Sequence, residues 1–137
     1  MGGASVFPQT VLVVDDEPSA RRFIARVLMR SGYHVIEAGG ARAATELVES
    51  GFDAIRLIVC DIRMPGTNGL DFANDLAGMG FDLPILYVSG LAGSAVVEGI
   101  AKSNPRVILV KPFSANELLD RVREILKEEA LASPKES

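Results

Sequence analysis

Five apolar runs punctuate the chain: Val11–Val14, His34–Glu37, Leu57–Cys60, Ile85–Val88 and Val107–Val110. Three of them, "VLVV", "LIVC" and "VILV", contain no charged or hydrophilic position. A strand with one face in water alternates apolar and polar residues. An uninterrupted run instead predicts a parallel strand covered on both faces. Between the runs the spacing becomes helical. Across Ser19–Arg30, residues Phe23, Ile24, Val27 and Leu28 fall on one face, and Ser31-Gly32 supplies a stop signal. Shorter helical patterns cover 41–50 and 68–79 and end at Gly51 and Gly80. The last helix opens at Ser114, where Glu117 completes a capping box, and Leu118, Leu119, Val122, Ile125 and Leu126 supply its buried stripe.

Strands alternating with helices predict an α/β domain: a five-stranded parallel sheet with five helices shared between its faces. Right-handed crossovers leave few topologies, of which the flavodoxin-like doubly wound (βα)5 sandwich, strand order 2-1-3-4-5, is the expected one. The expected domain spans 10–128, with flexible ends over 1–9 and 129–137. With 137 residues the chain is long enough to bury one full core.

Composition mainly excludes. Basic residues number 14 against 18 acidic, for a net charge of −4, so direct nucleic-acid binding is not expected. No apolar run approaches a membrane span, and the start "MGGASVFPQ" lacks the features of a secretory signal. Cys60 is the single cysteine, which rules out an internal disulfide and fits a reducing cytoplasm.

In a doubly wound sheet, ligands sit outside the carboxyl ends of the strands. Asp15 and Asp16 follow the first run, Asp61 the third, Ser89 the fourth and Lys111 the fifth. The topology therefore gathers three carboxylates, a hydroxyl and an ammonium on one rim. Clustered carboxylates call for a counter-charge, and a hard divalent cation with oxygen ligands supplies it: Mg²⁺, with Mn²⁺ as an alternative. Ser89 and Lys111 suit phosphoryl oxygens, and a carboxylate can itself accept a phosphoryl group. Glu17 reads as a first-turn helix residue favoured by the helix dipole.

Four stretches, "VLVVDDEPSARR", "CDIRMPGTNGLDF", "PILYVSG" and "VILVKPF", together resemble the successive motifs of bacterial response-regulator receiver domains. The resemblance covers roughly residues 10–127. It implies that Asp61 is the phosphoacceptor and that Asp15 and Asp16 are the acidic pair. Asp16 would be the more direct Mg²⁺ ligand, with the backbone carbonyl of Arg63 as a further one. It makes Ser89 the switch hydroxyl and Lys111 the conserved lysine, in a cis peptide with Pro112. The implied partners are a histidine kinase or histidine phosphotransfer protein and an unidentified downstream protein, with no membrane contact. The implied role is a phosphoacceptor signalling switch in a phosphorelay rather than a classical enzyme. The chain would be a stand-alone regulator or a module of a hybrid kinase or multidomain regulator.

Two features depart from that pattern. Ile108 stands where the family commonly has the aromatic switch residue three positions before the lysine. "FDAIRLIVCD" also runs a residue or two long, which a lengthened turn near Ala54–Arg56 would absorb without moving Asp61.

Two enzyme classes share parts of this constellation. A haloacid-dehalogenase-like phosphohydrolase also forms an aspartyl phosphate, but it needs Asp-x-Asp at the first strand, which "DDEPS" lacks. An ATPase needs a Gly-rich phosphate loop, and none occurs here. Arg22, Arg26 and Arg30, four residues apart, read first as a solvated face and second as a docking face for a phosphodonor. Cys60 reads as a core residue, His34 as structural or surface. The glycine-bearing segment 89–95, "SGLAGSA", is expected to be mobile and to move when the site is phosphorylated.

Overall fold

The computed structural model describes residues 9–51, 54–90, 95–103 and 107–132. Strands and helices alternate throughout: β1 (Thr10–Val14), α1 (Pro18–Arg30), β2 (His34–Ala38), α2 (Ala41–Ser50), β3 (Ile55–Asp61), α3 (Gly69–Gly78), β4 (Ile85–Ser89), α4 (Ala95–Ser103), β5 (Ile108–Val110) and α5 (Ala115–Ala132). The five strands form one parallel sheet in the order β2-β1-β3-β4-β5, the expected topology.

The unbroken apolar runs are explained by burial on both faces. On β1 and β3, Val11, Val13, Leu57 and Val59 pack with Ile24 and Leu28 of α1 and Leu118 and Val122 of α5. Their neighbours Leu12, Val14, Ile58 and Cys60 point to the other face, against Ala44 and Val48 of α2 and Phe72 and Leu76 of α3. A third cluster joins Val97 of α4 to Ile62 and Ile108, with Tyr87 against it. Each fully buried leucine contributes roughly 1.5–3 kcal/mol by leaving water, so the central strands anchor the fold.

The extra length before Asp61 is taken up at the start of β3. Thr10 pairs with Ile55 but Val11 pairs with Leu57, so Arg56 is an additional residue, a bulge in the β1–β3 ladder. Ala54, just before it, has φ of 50°, a left-handed conformation unusual for alanine. Beyond the bulge the register is regular through Val14 and Cys60, and Asp61 stays at the rim.

Several boundaries differ from the sequence pattern. β3 and β4 extend to include Asp61 and Ser89, because both residues still pair with neighbouring strands. β5 begins at Ile108, with Val107 outside it. Glu17 is not in the first turn of α1. It is the N-cap, and its carboxylate accepts hydrogen bonds from the Ser19 and Ala20 N–H groups, while Pro18 takes a first-turn position. Those bonds, with one from the Ser19 hydroxyl, hold its pKa below the ordinary range. α5 continues through Ala132, beyond the expected boundary at 128, since "EEALA" consists of strong helix formers. Its capping box is formed: the Glu117 N–H donates to Ser114 Oγ, and the Ser114 N–H to Glu117 Oε1. Residues 1–8, 133–137 and 91–94, which carry most of the segments expected to be flexible, lie outside the described residues.

Candidate functional site

Parallel strands all deliver their carboxyl ends to the same edge of the sheet, and the polar residues noted above meet there. One oxygen each from Asp15, Asp16 and Asp61 lies within 4.8 Å of the other two. Lys111 follows β5, and its Nζ lies 3.8 Å from Asp61 Oδ2. Its N–H donates to the Ser89 carbonyl at 2.7 Å, which ties the β5 exit to the end of β4. The Lys111-Pro112 peptide is cis.

Asp15 is the buried member, 1% exposed, whereas Asp16 is exposed. One Asp15 oxygen, Oδ1, accepts the Glu17 N–H at 2.9 Å. The other, Oδ2, is buried and has no hydrogen-bond partner among the described residues. Burial pushes the Asp15 pKa above its ordinary value. The Glu17 N–H opposes the shift, the nearby Asp61 carboxylate adds to it, Lys111 opposes it and Asp16 adds to it. An orphaned carboxylate oxygen beside two further carboxylates is an unfavourable arrangement without a cation.

Asp61 Oδ1 accepts the Arg63 N–H at 3.2 Å. Ile62, the next residue, donates its N–H to the Val88 carbonyl at 3.0 Å, so the β3–β4 ladder continues past Asp61. Ser89 is buried at the end of β4, one residue beyond the partner of Asp61. Beside the carboxylates an open cleft of about 600 Å³ is lined by Asp16, Arg63, Met64, Pro65, Gly66 and Asn68.

The donor set fits a hard divalent cation. All candidate ligand atoms are oxygens, the charge is concentrated, and the Oδ2 atom of Asp15 has no hydrogen-bond partner among the described residues. Asp15, Asp16 and Asp61 would hold the ion, with the Arg63 carbonyl on the loop just past Asp61.

Two contributors escaped the sequence pattern. Arg21 donates from Nη1 to the Asp15 carbonyl at 2.7 Å and from Nε to Glu37 Oε1 at 3.0 Å. The hint was a charged residue, Glu37, near the carboxyl end of β2. Gly69 opens α3 directly under Asp61. A Cβ built there would lie 2.6 Å from the Asp61 carbonyl oxygen, and the Gly69 N–H donates to the Ile62 carbonyl at 2.8 Å. Here the hint was a helix-disfavoured glycine one residue after the Asn68 cap.

The remaining candidates lie elsewhere or act in packing. His34 is exposed at the amino end of β2, away from the rim, with Nδ1 3.3 Å from Thr10 Oγ1. Cys60 is buried in the core, and burial raises its thiol pKa far above the ordinary value. Ile108 is buried, paired across the sheet with Tyr87. Arg22, Arg26 and Arg30 are exposed on α1.

A family model for the response regulator receiver domain matches residues 11–123. The chain belongs to that family. Among its relatives, this receiver is 37% identical over 122 residues to the response regulator MprA of Mycolicibacterium vanbaalenii, covering 88% of the chain and 51% of MprA. It is 32% identical over 120 residues to the sensor kinase CckA of Brucella abortus, covering 88% of the chain and 13% of the kinase. The receiver domain of Francisella response regulator 1452 superposes with a TM-score of 0.77 at 28% identity, over 88% of this chain and 98% of that one. The chain spans about half the length of curated relatives such as nodulation protein W and MprA. Receivers of this family bind Mg²⁺ at an acidic pocket and work with histidine kinases and downstream effectors. Among the described residues, no helix is long and apolar enough to cross a membrane.

Proposed function

We propose that this receiver is a phosphoacceptor switch in which Asp61 takes a phosphoryl group from a phosphohistidine on a kinase or phosphotransfer protein. The observation that carries this reading is the position of Asp61. It ends β3 among two further carboxylates, with the Lys111 ammonium 3.8 Å from its Oδ2 atom. A carboxylate oxygen of Asp61 attacks phosphorus, the phosphorus–nitrogen bond breaks, and its electron pair stays on the imidazole. Hydrolysis by water then breaks the acyl phosphate, returning the carboxylate and inorganic phosphate.

In such a transfer the protein's contribution is mainly placement and charge. Asp15, Asp16, Asp61 and the Arg63 carbonyl would hold a divalent cation, which would neutralise phosphoryl oxygens. Lys111 holds fixed positive charge 3.8 Å from Asp61 Oδ2, and Ser89 offers a hydroxyl donor from the end of β4. Drawing Ser89 and Lys111 toward a phosphoryl dianion pulls on β4 and β5 together, because the Lys111 N–H is bonded to the Ser89 carbonyl. The surface formed by α4, β5 and α5 is then the face whose conformation partners sense, by population shift. Ile108 is already buried at the aromatic position of the family, so movement of α4 over Ile108 and Tyr87 takes the place of an aromatic rotation. The match to part of a sensor kinase and to half of several response regulators leaves both a regulator and a hybrid-kinase setting consistent with this role.

The test is intact-mass measurement after incubation with acetyl phosphate. The wild type should gain one phosphoryl group when Mg²⁺ is present and none in EDTA, and Asp61→Asn should gain none. An adduct of equal yield in Asp61→Asn would overturn the assignment.

A further inference from the structure

All but one of the polar groups of Asp15 are tied down. Its N–H donates to the Ala38 carbonyl at 3.2 Å, its carbonyl accepts from Arg21 Nη1 at 2.7 Å, and Oδ1 accepts the Glu17 N–H at 2.9 Å. Only Oδ2 has no hydrogen-bond partner among the described residues, and one carboxylate oxygen of Asp15 lies within 4.8 Å of oxygens of Asp16 and Asp61. Two of the three anchors lead to β2. Ala38 ends that strand, and Glu37 Oε1 receives Arg21 Nε at 3.0 Å.

Arg21 is not an ordinary surface cation. Its side chain is 18% exposed and that of Glu37 28%, and the guanidinium donates through different nitrogens to the turn after β1 and to β2. A planar fork with fixed donor directions can brace a main-chain carbonyl in this way, whereas a flexible ammonium cannot satisfy both acceptors in the same geometry. The neighbouring Arg22 also approaches Glu37, at 3.6 Å, but its side chain is 57% exposed and nothing links it to Asp15.

We infer that Arg21 is a positioning residue: oriented by Glu37, it holds the main chain of Asp15 so that its carboxylate stays beside Asp16 and Asp61, and so sets the site's affinity for a divalent cation. This rests on the cation-binding reading above. The effect has a distinctive sign. As a positive charge near the site, Arg21 repels a cation, so removing only its charge would tighten binding. Removing a brace loosens it. Partners that orient metal ligands from behind commonly change affinity by about 10- to 100-fold.

The experiment titrates Mn²⁺ into wild type, Arg21→Gln, Arg21→Lys, Glu37→Ala and Arg22→Ala, reading free Mn²⁺ by electron paramagnetic resonance well below the melting temperature. Amide exchange of the Glu17 N–H is measured by NMR without metal. Both Arg21 variants should bind Mn²⁺ about tenfold more weakly, Arg21→Lys included although it keeps the charge. Glu37→Ala should weaken binding less, and Arg22→Ala should match wild type. The Glu17 N–H should exchange faster in the Arg21 variants, because its acceptor on Asp15 is no longer held. A global loss of stability would lower melting temperatures without this pattern of affinities. Arg21→Gln binding Mn²⁺ as tightly as wild type, or more tightly, overturns the inference. If wild type takes up no Mn²⁺, the cation reading fails. The brace is then judged on Glu17 exchange alone, and unchanged protection in Arg21→Gln overturns it.

Discussion

Asp15→Asn should raise the melting temperature in EDTA and remove most of the stabilisation that Mg²⁺ gives the wild type. Both effects come from one buried oxygen. Without a cation, Oδ2 carries charge in a buried position with no hydrogen-bond partner among the described residues, beside two like charges. Exchanging the carboxylate for an amide removes that charge, and the Asn carbonyl can still accept the Glu17 N–H. The expected gain is about 1–3 kcal/mol, the cost of one unsatisfied buried polar group. With a cation that advantage is offset. At a hundred times its dissociation constant Mg²⁺ should stabilise wild type by about 2.7 kcal/mol, and a hundredfold weaker variant by only about 0.4 kcal/mol. Thermal unfolding of both proteins, with and without Mg²⁺, reads all four values.

The pH dependence of that comparison is also determined. Burial raises the Asp15 pKa in the fold above the ordinary 3.8. Between that value and the raised one, the folded state binds more protons than the unfolded state. Stability without metal therefore falls as pH rises through this window, and the fall is absent in Asp15→Asn. Divalent-cation affinity of the wild type should climb over the same window, as the proton on Asp15 is displaced. A wild-type-minus-variant stability difference that is flat with pH would show that the carboxylate is not strained by burial.

Gly69→Ala should be costly although it adds a single methyl group to a helix. In a free helix the change favours folding, because alanine has the higher helix propensity. Here the new Cβ would sit 2.6 Å from the Asp61 carbonyl oxygen and 3.1 Å from Ile62 Cα, both main-chain atoms that move only with β3. We expect a loss of about 1–3 kcal/mol in urea unfolding. Phosphoryl uptake from acetyl phosphate should also slow by about tenfold or more, since Asp61 moves with its carbonyl. Gly78→Ala is the matched control, because a Cβ there meets nothing within 4 Å. It should be neutral or slightly stabilising. Equal stability and equal uptake rates in Gly69→Ala and wild type would mean the loop accommodates the methyl group without moving Asp61.

The fold was largely legible because its signals are local. "VLVV", "LIVC" and "VILV" read as strands buried on both faces, and the parallel topology then placed Asp15, Asp16, Asp61, Ser89 and Lys111 on one edge. The extra residue before Asp61 was also visible as length, and the bulge at Arg56 is where the ladder absorbs it. Arg21 and Gly69 were hidden because their roles are set by tertiary neighbours. Arg21 matters through Glu37, sixteen positions away in the chain, and through a main-chain carbonyl that no residue type announces. Gly69 matters through the space left beneath Asp61, which depends on how α3 meets β3. Glu17 was misplaced by one step for a related reason. Helix dipole arguments favour an acid anywhere near the amino end, and only the geometry of the Ser19 and Ala20 N–H groups makes it the cap.

The central claim is that Asp61, among the three clustered carboxylates, carries the phosphoryl group. Borohydride reduces an acyl phosphate to an alcohol, so a phosphorylated aspartate becomes homoserine at the modified position. Wild-type protein treated with acetyl phosphate and Mg²⁺, reduced, digested and sequenced by mass spectrometry should contain homoserine at position 61 and at no other aspartate. Homoserine at position 15 or 16, or an unreduced adduct on His34, would contradict it.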